Sequence, residues 1–196
     1  MAKRKEATMD NVMIDLETLG TQANTYIVTL AAVAFMPSVG KVAYEFYEKI
    51  DVDSYPKTGA FSFDFQTLAW WMNQSVAARN EAFSGTPRKN IEVVLRNLAK
   101  WIRELTPNPD GVKVWSQGAG FDIPVLEYTM RYFNIEVPWK FWNVRDTRTL
   151  YDVAGISYSK VVPPAGAVAH NALADCLKQV EAVRQSMEKL GLTKKT

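Results

Sequence analysis

Two acids close an apolar run in the stretch NVMIDLETLG, residues 11–20. Val12, Met13, Ile14 and Leu16 suit a buried strand, whereas Asp15 and Glu17 do not. Strand residues two apart face the same way, ~6.6 Å apart at ~3.3 Å per residue, so the two carboxylates project together. Side by side they repel, and each resists leaving water. A hard divalent cation, Mg²⁺ or Mn²⁺, resolves that conflict, because oxygen ligands suit it. The alternative is a strand end that frays into solvent and carries two ordinary surface acids.

Further along, three more side chains have the types such a site needs. Asp122 follows the segment SQGAGF, between an expected buried strand and a helix, where ligands gather in α/β folds. Gly118 and Gly120 there would let backbone approach closely, and helix capping is the simpler role for Asp122. His170, the single histidine of the chain, precedes the last helix in the segment HNALAD, and Asp175 lies five residues on. Were both helical they would point ~140° apart, so the histidine is expected to reach a site from the loop and Asp175 from the helix. Asp175 adjoins an expected inner stripe of Leu173, Leu177, Val180, Val183 and Met187, and an acid so placed needs a partner or a metal. Cys176 reads as small core packing. A second pair of acids two apart, Asp51 and Asp53, runs into a polar loop and reads as solvated. Asp146 reads as a cap for the helix that follows it.

These residues need a scaffold. The chain has 196 residues, 47% of them hydrophobic, which bounds it to about one domain with a sizeable core. The net charge of +2 neither proves nor opposes a nucleic-acid partner, and 22% charged residues is ordinary for a globular chain. One cysteine excludes an internal disulfide framework and fits a reducing, cytoplasmic compartment. No apolar run approaches the ~20 residues of a membrane helix. Residues 1–10 are expected to form a flexible basic arm, and residues 11–192 a single domain. Strands are expected at VMIDL, 26–36 and 42–50, then at 112–115 and 141–146; helices at 67–74, 76–83, 90–105, 122–133, 147–153 and 171–192, with a loop at 155–169. The helix at 90–105 has apolar residues at 91, 94, 95, 98, 101, 102 and 105, one face of an amphipathic cylinder. Asn171 is placed to cap the last helix and Gly191 to stop it. The order implies an α/β fold: a mixed sheet with helices packed on it.

Taken together, IDLET, the FD that follows a glycine-containing strand exit, and HNALAD resemble the DEDDh exonucleases of the DnaQ-like, or ribonuclease T-like, superfamily. The likeness spans about residues 11–185. Asp15 and Glu17 match the first motif, Asp122 the second, and His170 with Asp175 the third, whose spacing defines the histidine subgroup. TLAWWMNQS and the extended third strand are similar to small phage and bacterial members: phage exonuclease A, exodeoxyribonuclease VIII-like proteins and a mycobacterial exoribonuclease-type domain.

The resemblance implies a ribonuclease H-like fold with a central mixed five-stranded sheet flanked by helices. It implies two divalent metal ions, Mg²⁺ or Mn²⁺, held by Asp15, Glu17, Asp122 and Asp175, with His170 as general base. Imidazole titrates at ~6.5, which suits that role at neutral pH. The reaction implied is release of nucleoside 5′-monophosphates from the 3′ end of single-stranded or frayed DNA, with RNA as the alternative, in a bacterial or phage-infected cell. Thr18, Leu19, Phe121, Trp70 and Trp71 are candidates to seat the terminal nucleotide; for each aromatic, core packing competes with base stacking, worth ~1–3 kcal/mol per base. Lys57, Arg88, Lys89, Arg145, Arg148 and Lys160 are candidates to meet phosphates. No membrane partner is expected, and the protein is a monomer or a homodimer. A non-catalytic nucleic-acid binding module on the same fold, or a ribonuclease H-type endonuclease, are the competing readings.

Overall fold

A computed structural model describes residues 9–193 apart from 86 and 107. The basic arm expected over 1–10 lies outside the described residues except at Met9 and Asp10. Asp10 already belongs to the fold: its carbonyl accepts from the Lys113 amide at 2.7 Å and its carboxylate pairs with Lys113 Nζ at 2.8 Å.

Five strands form one sheet: β1 (Asn11–Thr18), β2 (Ile27–Met36), β3 (Lys41–Lys49), β4 (Lys113–Ser116) and β5 (Val144–Asp146), in the order β3-β2-β1-β4-β5. The first three run antiparallel, as short connections permit. β4 lies parallel to β1, and β5 parallel to β4, each reached through helices. The helices are α1 (Phe65–Met72), α2 (Val76–Phe83), α3 (Ile91–Glu104), α4 (Asp122–Tyr132), α5 (Thr147–Ala154) and α6 (Ala172–Lys189).

β1 is the central strand and is covered on both faces. Val12, Ile14 and Leu16 join a core completed by Val94, Leu95 and Leu98 of α3 and Ile123, Leu126 and Met130 of α4. Met13 points the other way, into a core with Val33, Phe35, Tyr151 of α5 and Val180 and Val183 of α6. Strand alternation then puts Asp15 and Glu17 on Met13's face, under α6. The same strand thus supplies core to one side and carboxylates to the other.

Two expectations change. The strand expected over 141–146 begins only at Val144; Phe141–Asn143 is a 3₁₀ turn, and the Asn143 amide donates to the Asp110 carbonyl at 2.7 Å. β4 is four residues long and pairs with β5 at only three positions, so the neighbour has nothing to extend against. In α6 the fully buried face is Ala172, Cys176, Gln179, Val180, Ala182, Val183 and Ser186, while Leu173, Leu177 and Met187 pack at its flanks. Small residues face inward because the helix lies close on the sheet: Cys176 Sγ is 3.8 Å from the carbonyls of Met13 and Ala31. Large side chains do not fit under such a contact and splay to the sides.

Candidate active site

The strand end, two helix starts and one loop end meet at the carboxyl ends of β1 and β4. From β1 come Asp15 and Glu17. After β4 the chain turns through Gly118, at φ +107°, and enters α4 directly at Asp122. Gly118 is required: besides that φ, a Cβ there would sit 2.7 Å from Arg148 Nη1. Gly120 is not, since a Cβ there meets nothing within 4 Å. Asp122 is the first helical residue, not its cap, and is buried. Asp146 does cap, accepting from the Arg148 amide at 2.8 Å, and its second oxygen takes the Ala119 amide at 2.9 Å, which ties β5 to the turn before Asp122.

α6 brings Asp175, and the loop before it brings His170. Asn171 caps the helix, its Oδ1 accepting from the Ala174 amide at 2.8 Å, while its Nδ2 donates to Glu81 Oε1 of α2 at 2.8 Å. The same Glu81 oxygen accepts from Tyr47 Oη at 2.7 Å and pairs with Lys49 at 3.1 Å. His170 itself takes φ +59°, a left-handed turn that few non-glycine residues adopt and that the cap beside it holds. Its ring packs edge to face on Trp70, 4.7 Å between centroids, and lies 6.0 Å from Trp71. The 155–169 loop lies against α5 and α6, with Val161 buried and Tyr158 stacked on Tyr151.

One potential ligand atom from each of Glu17, His170 and Asp175 lies within 4.8 Å of the other two. Burial acts on all four acids, and neighbouring charge adds to it at Asp15 and Glu17. Burial first, then the charges of Asp122, Glu17 and Asp175, pushes the Asp15 carboxyl well above its usual range, against one hydrogen bond from Gln179 Nε2 at 2.8 Å. Burial, then Asp175 and Asp122, carries Glu17 up to about 9. Burial raises Asp122 to about 7, against the pull of backbone amides at Leu16 and at its own position. Asp175 is raised by burial, with His170 and Lys178 drawing it down. Burial lifts all four carboxyls, and neighbouring acids lift Asp15 and Glu17 further; such a group is arranged for positive charge, and an oxygen-rich set suits hard divalent cations.

Beside the cluster opens a cleft of about 640 Å³, lined by Glu17, Thr18, Trp70, Trp71, Phe121 and Gln66 among others. Volumes of this size hold small-molecule ligands. Trp70 is 43% exposed, and Trp71 is 2% exposed with its indole N–H donating to the Thr18 carbonyl at 2.9 Å. Leu19 does not line the cleft. Its amide donates to the Tyr26 carbonyl and its carbonyl accepts from the Asp64 amide, both at 3.0 Å, so its backbone braces the segment beside the cleft.

The family model described as a 3′-5′ exoribonuclease Rv2179c-like domain matches residues 10–187. The chain belongs to this family. It is 29% identical over 206 aligned positions to an exodeoxyribonuclease of Enterobacteria phage T4, an alignment covering 91% of this chain and 89% of that one. Among solved structures it is similar to exonuclease X in complex with 5′ overhanging duplex DNA, at 19% identity and TM-score 0.54, covering 93% of this chain and 94% of that one. It is similar also to the nuclease domain of 3′hExo, a DEDDh family member bound to rAMP, at 11% identity and TM-score 0.56, covering 94% of each. The sheet and its flanking helices are thus the ribonuclease H-like fold, and this family member is a 3′-5′ exonuclease.

Several residues that shape the candidate site carry no motif in the sequence. Gln179, four residues after Asp175, is the hydrogen-bond donor to Asp15; helical spacing from Asp175 was the available signal. Asp64, capping α1 and accepting from the Thr21 amide at 3.0 Å, shapes the cleft from a segment with no motif. The expected phosphate cations are mostly engaged elsewhere: Lys57 with Asp53 at 3.1 Å, Lys89 with Glu48 at 2.6 Å, Arg88 with the Ile50 and Ala82 carbonyls, Arg145 with those of Trp142 and Val144. Arg148 faces Asp122.

Proposed function

We propose that the protein removes nucleotides from the 3′ end of single-stranded or frayed DNA, releasing nucleoside 5′-monophosphates with the help of two divalent cations, Mg²⁺ or Mn²⁺. The observation that carries this is the convergence of Asp15, Glu17, Asp122 and Asp175 with one imidazole beside a nucleotide-sized cleft. The four carboxylates would hold the cations, which when bound supply the positive charge that phosphodiester hydrolysis needs at the attacking and leaving oxygens. Gln179 keeps the Asp15 carboxylate turned toward its partners. His170 accepts the proton of the attacking water at a ring nitrogen, and the two tryptophans fix where that ring stands. Thr18, Phe121 and Trp70 seat the terminal nucleoside, with Trp70 offering the exposed π-face. The 29% identity to the phage exodeoxyribonuclease over most of both chains supports DNA. A second reading, RNA, is favoured by the exoribonuclease description of the family.

Matched 5′-labelled DNA and RNA oligonucleotides, digested with Mg²⁺ or Mn²⁺, test both. DNA should shorten stepwise from its 3′ end, EDTA should stop it, and a 3′-phosphate should block it. His170→Ala should lower kcat about 10²–10⁴-fold. Asp15→Asn and Asp175→Asn should abolish release while the circular dichroism spectrum is kept. Faster digestion of RNA selects the second reading, and full activity in Asp15→Asn refutes both.

A further inference from the structure

A second cavity meets the acid cluster from the α6 side. It is about 250 Å³, shares His170 and Asp175 with the cluster, and is walled by Pro163 and Ala167 of the preceding loop and by Lys178. The first cleft contains Glu17, one potential ligand atom of which lies within 4.8 Å of His170 and Asp175, so the two cavities flank the cluster. Lys178 lies three residues after Asp175 on α6, hence on the same face. Its ammonium sits 4.2 Å from the centroid of the Tyr158 ring, which holds the long side chain in place. Among the described residues it forms no ion pair.

An ammonium fixed near Asp175 is a poor neighbour for the cations that the carboxylate cluster is arranged to hold. It is useful there once an additional anion arrives. A nucleic-acid strand supplies one: with the terminal nucleoside in the first cleft and its 5′ phosphate at the cluster, the strand continues through the penultimate nucleotide to a further phosphate. We infer that Lys178, steadied by Tyr158, is a phosphate-binding residue in the second cavity that takes the phosphate on the 5′ side of the penultimate nucleotide. This rests on the exonuclease reading proposed above. It makes Lys178 a determinant of substrate affinity on the leaving-strand side, and it gives the 155–169 loop a part in binding beyond delivering His170.

Two dinucleotides separate the idea from its alternatives. pTpT carries the phosphate in question and TpT lacks it; the two are otherwise identical. For the unaltered protein KM should be about tenfold lower for pTpT, the effect of one charge-assisted hydrogen bond, with similar kcat. Lys178→Met should bring the ratio of the two KM values to about one, and Lys178→Arg, which keeps charge and ring contact, should restore most of the preference. If Lys178→Met keeps the preference, or weakens both substrates equally, the lysine only braces the loop and the inference is overturned. An unaltered protein that cleaves both dinucleotides without preference overturns it too, leaving the exonuclease reading intact. An unaltered protein that cleaves neither dinucleotide nor longer strands removes both.

Discussion

Glu17 offers a way to test the electrostatic argument without any substrate. Its carboxyl is buried, has no hydrogen-bond donor among the described residues, and is lifted from 4.5 to about 9 by burial and by Asp175 and Asp122. Between pH 4.5 and 7 the native state therefore holds a proton that the unfolded chain has released. Stability falls across that window as pH rises, because the unfolded state binds fewer protons, at 1.36 kcal/mol per pH unit. The loss reaches about 3 kcal/mol at pH 7. Glu17→Gln keeps the shape and removes the ionisation that favours the unfolded chain. In EDTA at pH 7 it should stabilise the fold by about 3 kcal/mol, a rise in Tm of about 6–12 °C for a chain of this size. At pH 4, where Glu17 is protonated in the folded state and mostly so in the unfolded one, the two melting curves should nearly coincide. Adding Mn²⁺ at pH 7 should narrow the gap, because binding to the native state stabilises the unaltered protein more. Thermal melts followed by circular dichroism at the two pH values suffice. A Glu17→Gln protein no more stable than the original at pH 7 without metal would mean the acids do not strain one another, and the case for a cation site would fail.

Gln179→Leu removes the one side-chain donor to Asp15 among the described residues while nearly preserving volume; the Mn²⁺ concentration for half-maximal activity should rise about 10–100-fold, as for loss of a group that orients a metal ligand. Asn171→Ala removes the cap of α6 and leaves the Glu81 carboxylate one donor short, so the fold should lose about 1–2 kcal/mol in urea titration. Because His170 adjoins that cap, kcat should fall along with it, and an unchanged kcat would separate the cap from the placing of the imidazole.

Much of the site was legible in the chain because its parts are local. Asp15 and Glu17 announce themselves as acids where a buried strand should be apolar, and strand parity alone places them together. His170 and Asp175 are joined by a short spacing across a helix start that Asn171 marks. Asp122 was harder: its spacing predicts a cap, and only the parallel pairing of β4 with β1 carries it to the cluster. On the inner face of α6, Val180 and Val183 are buried as the spacing predicts, but Leu173, Leu177 and Met187 lie at its flanks, because close packing on the sheet selects alanine, cysteine and serine there. The strand expected at 141–146 was overlong because a strand's length is set by its neighbour's.

The sequence by itself determined the chemistry: which groups ionise, which lie on one strand face, where the last helix begins, and which family pattern they match. The tertiary structure alone decided the neighbourhoods. It put Gln179 on Asp15, Glu81 on Asn171, two tryptophan rings against one imidazole, and Lys178 over Tyr158 beside the acids. These pairs are 90 or more residues apart in most cases, as with Glu81–Asn171 and Asp15–Gln179. Periodicity reports only how a side chain faces its own element, while such contacts depend on the order and distance at which elements pack, and that is fixed by the sheet as a whole.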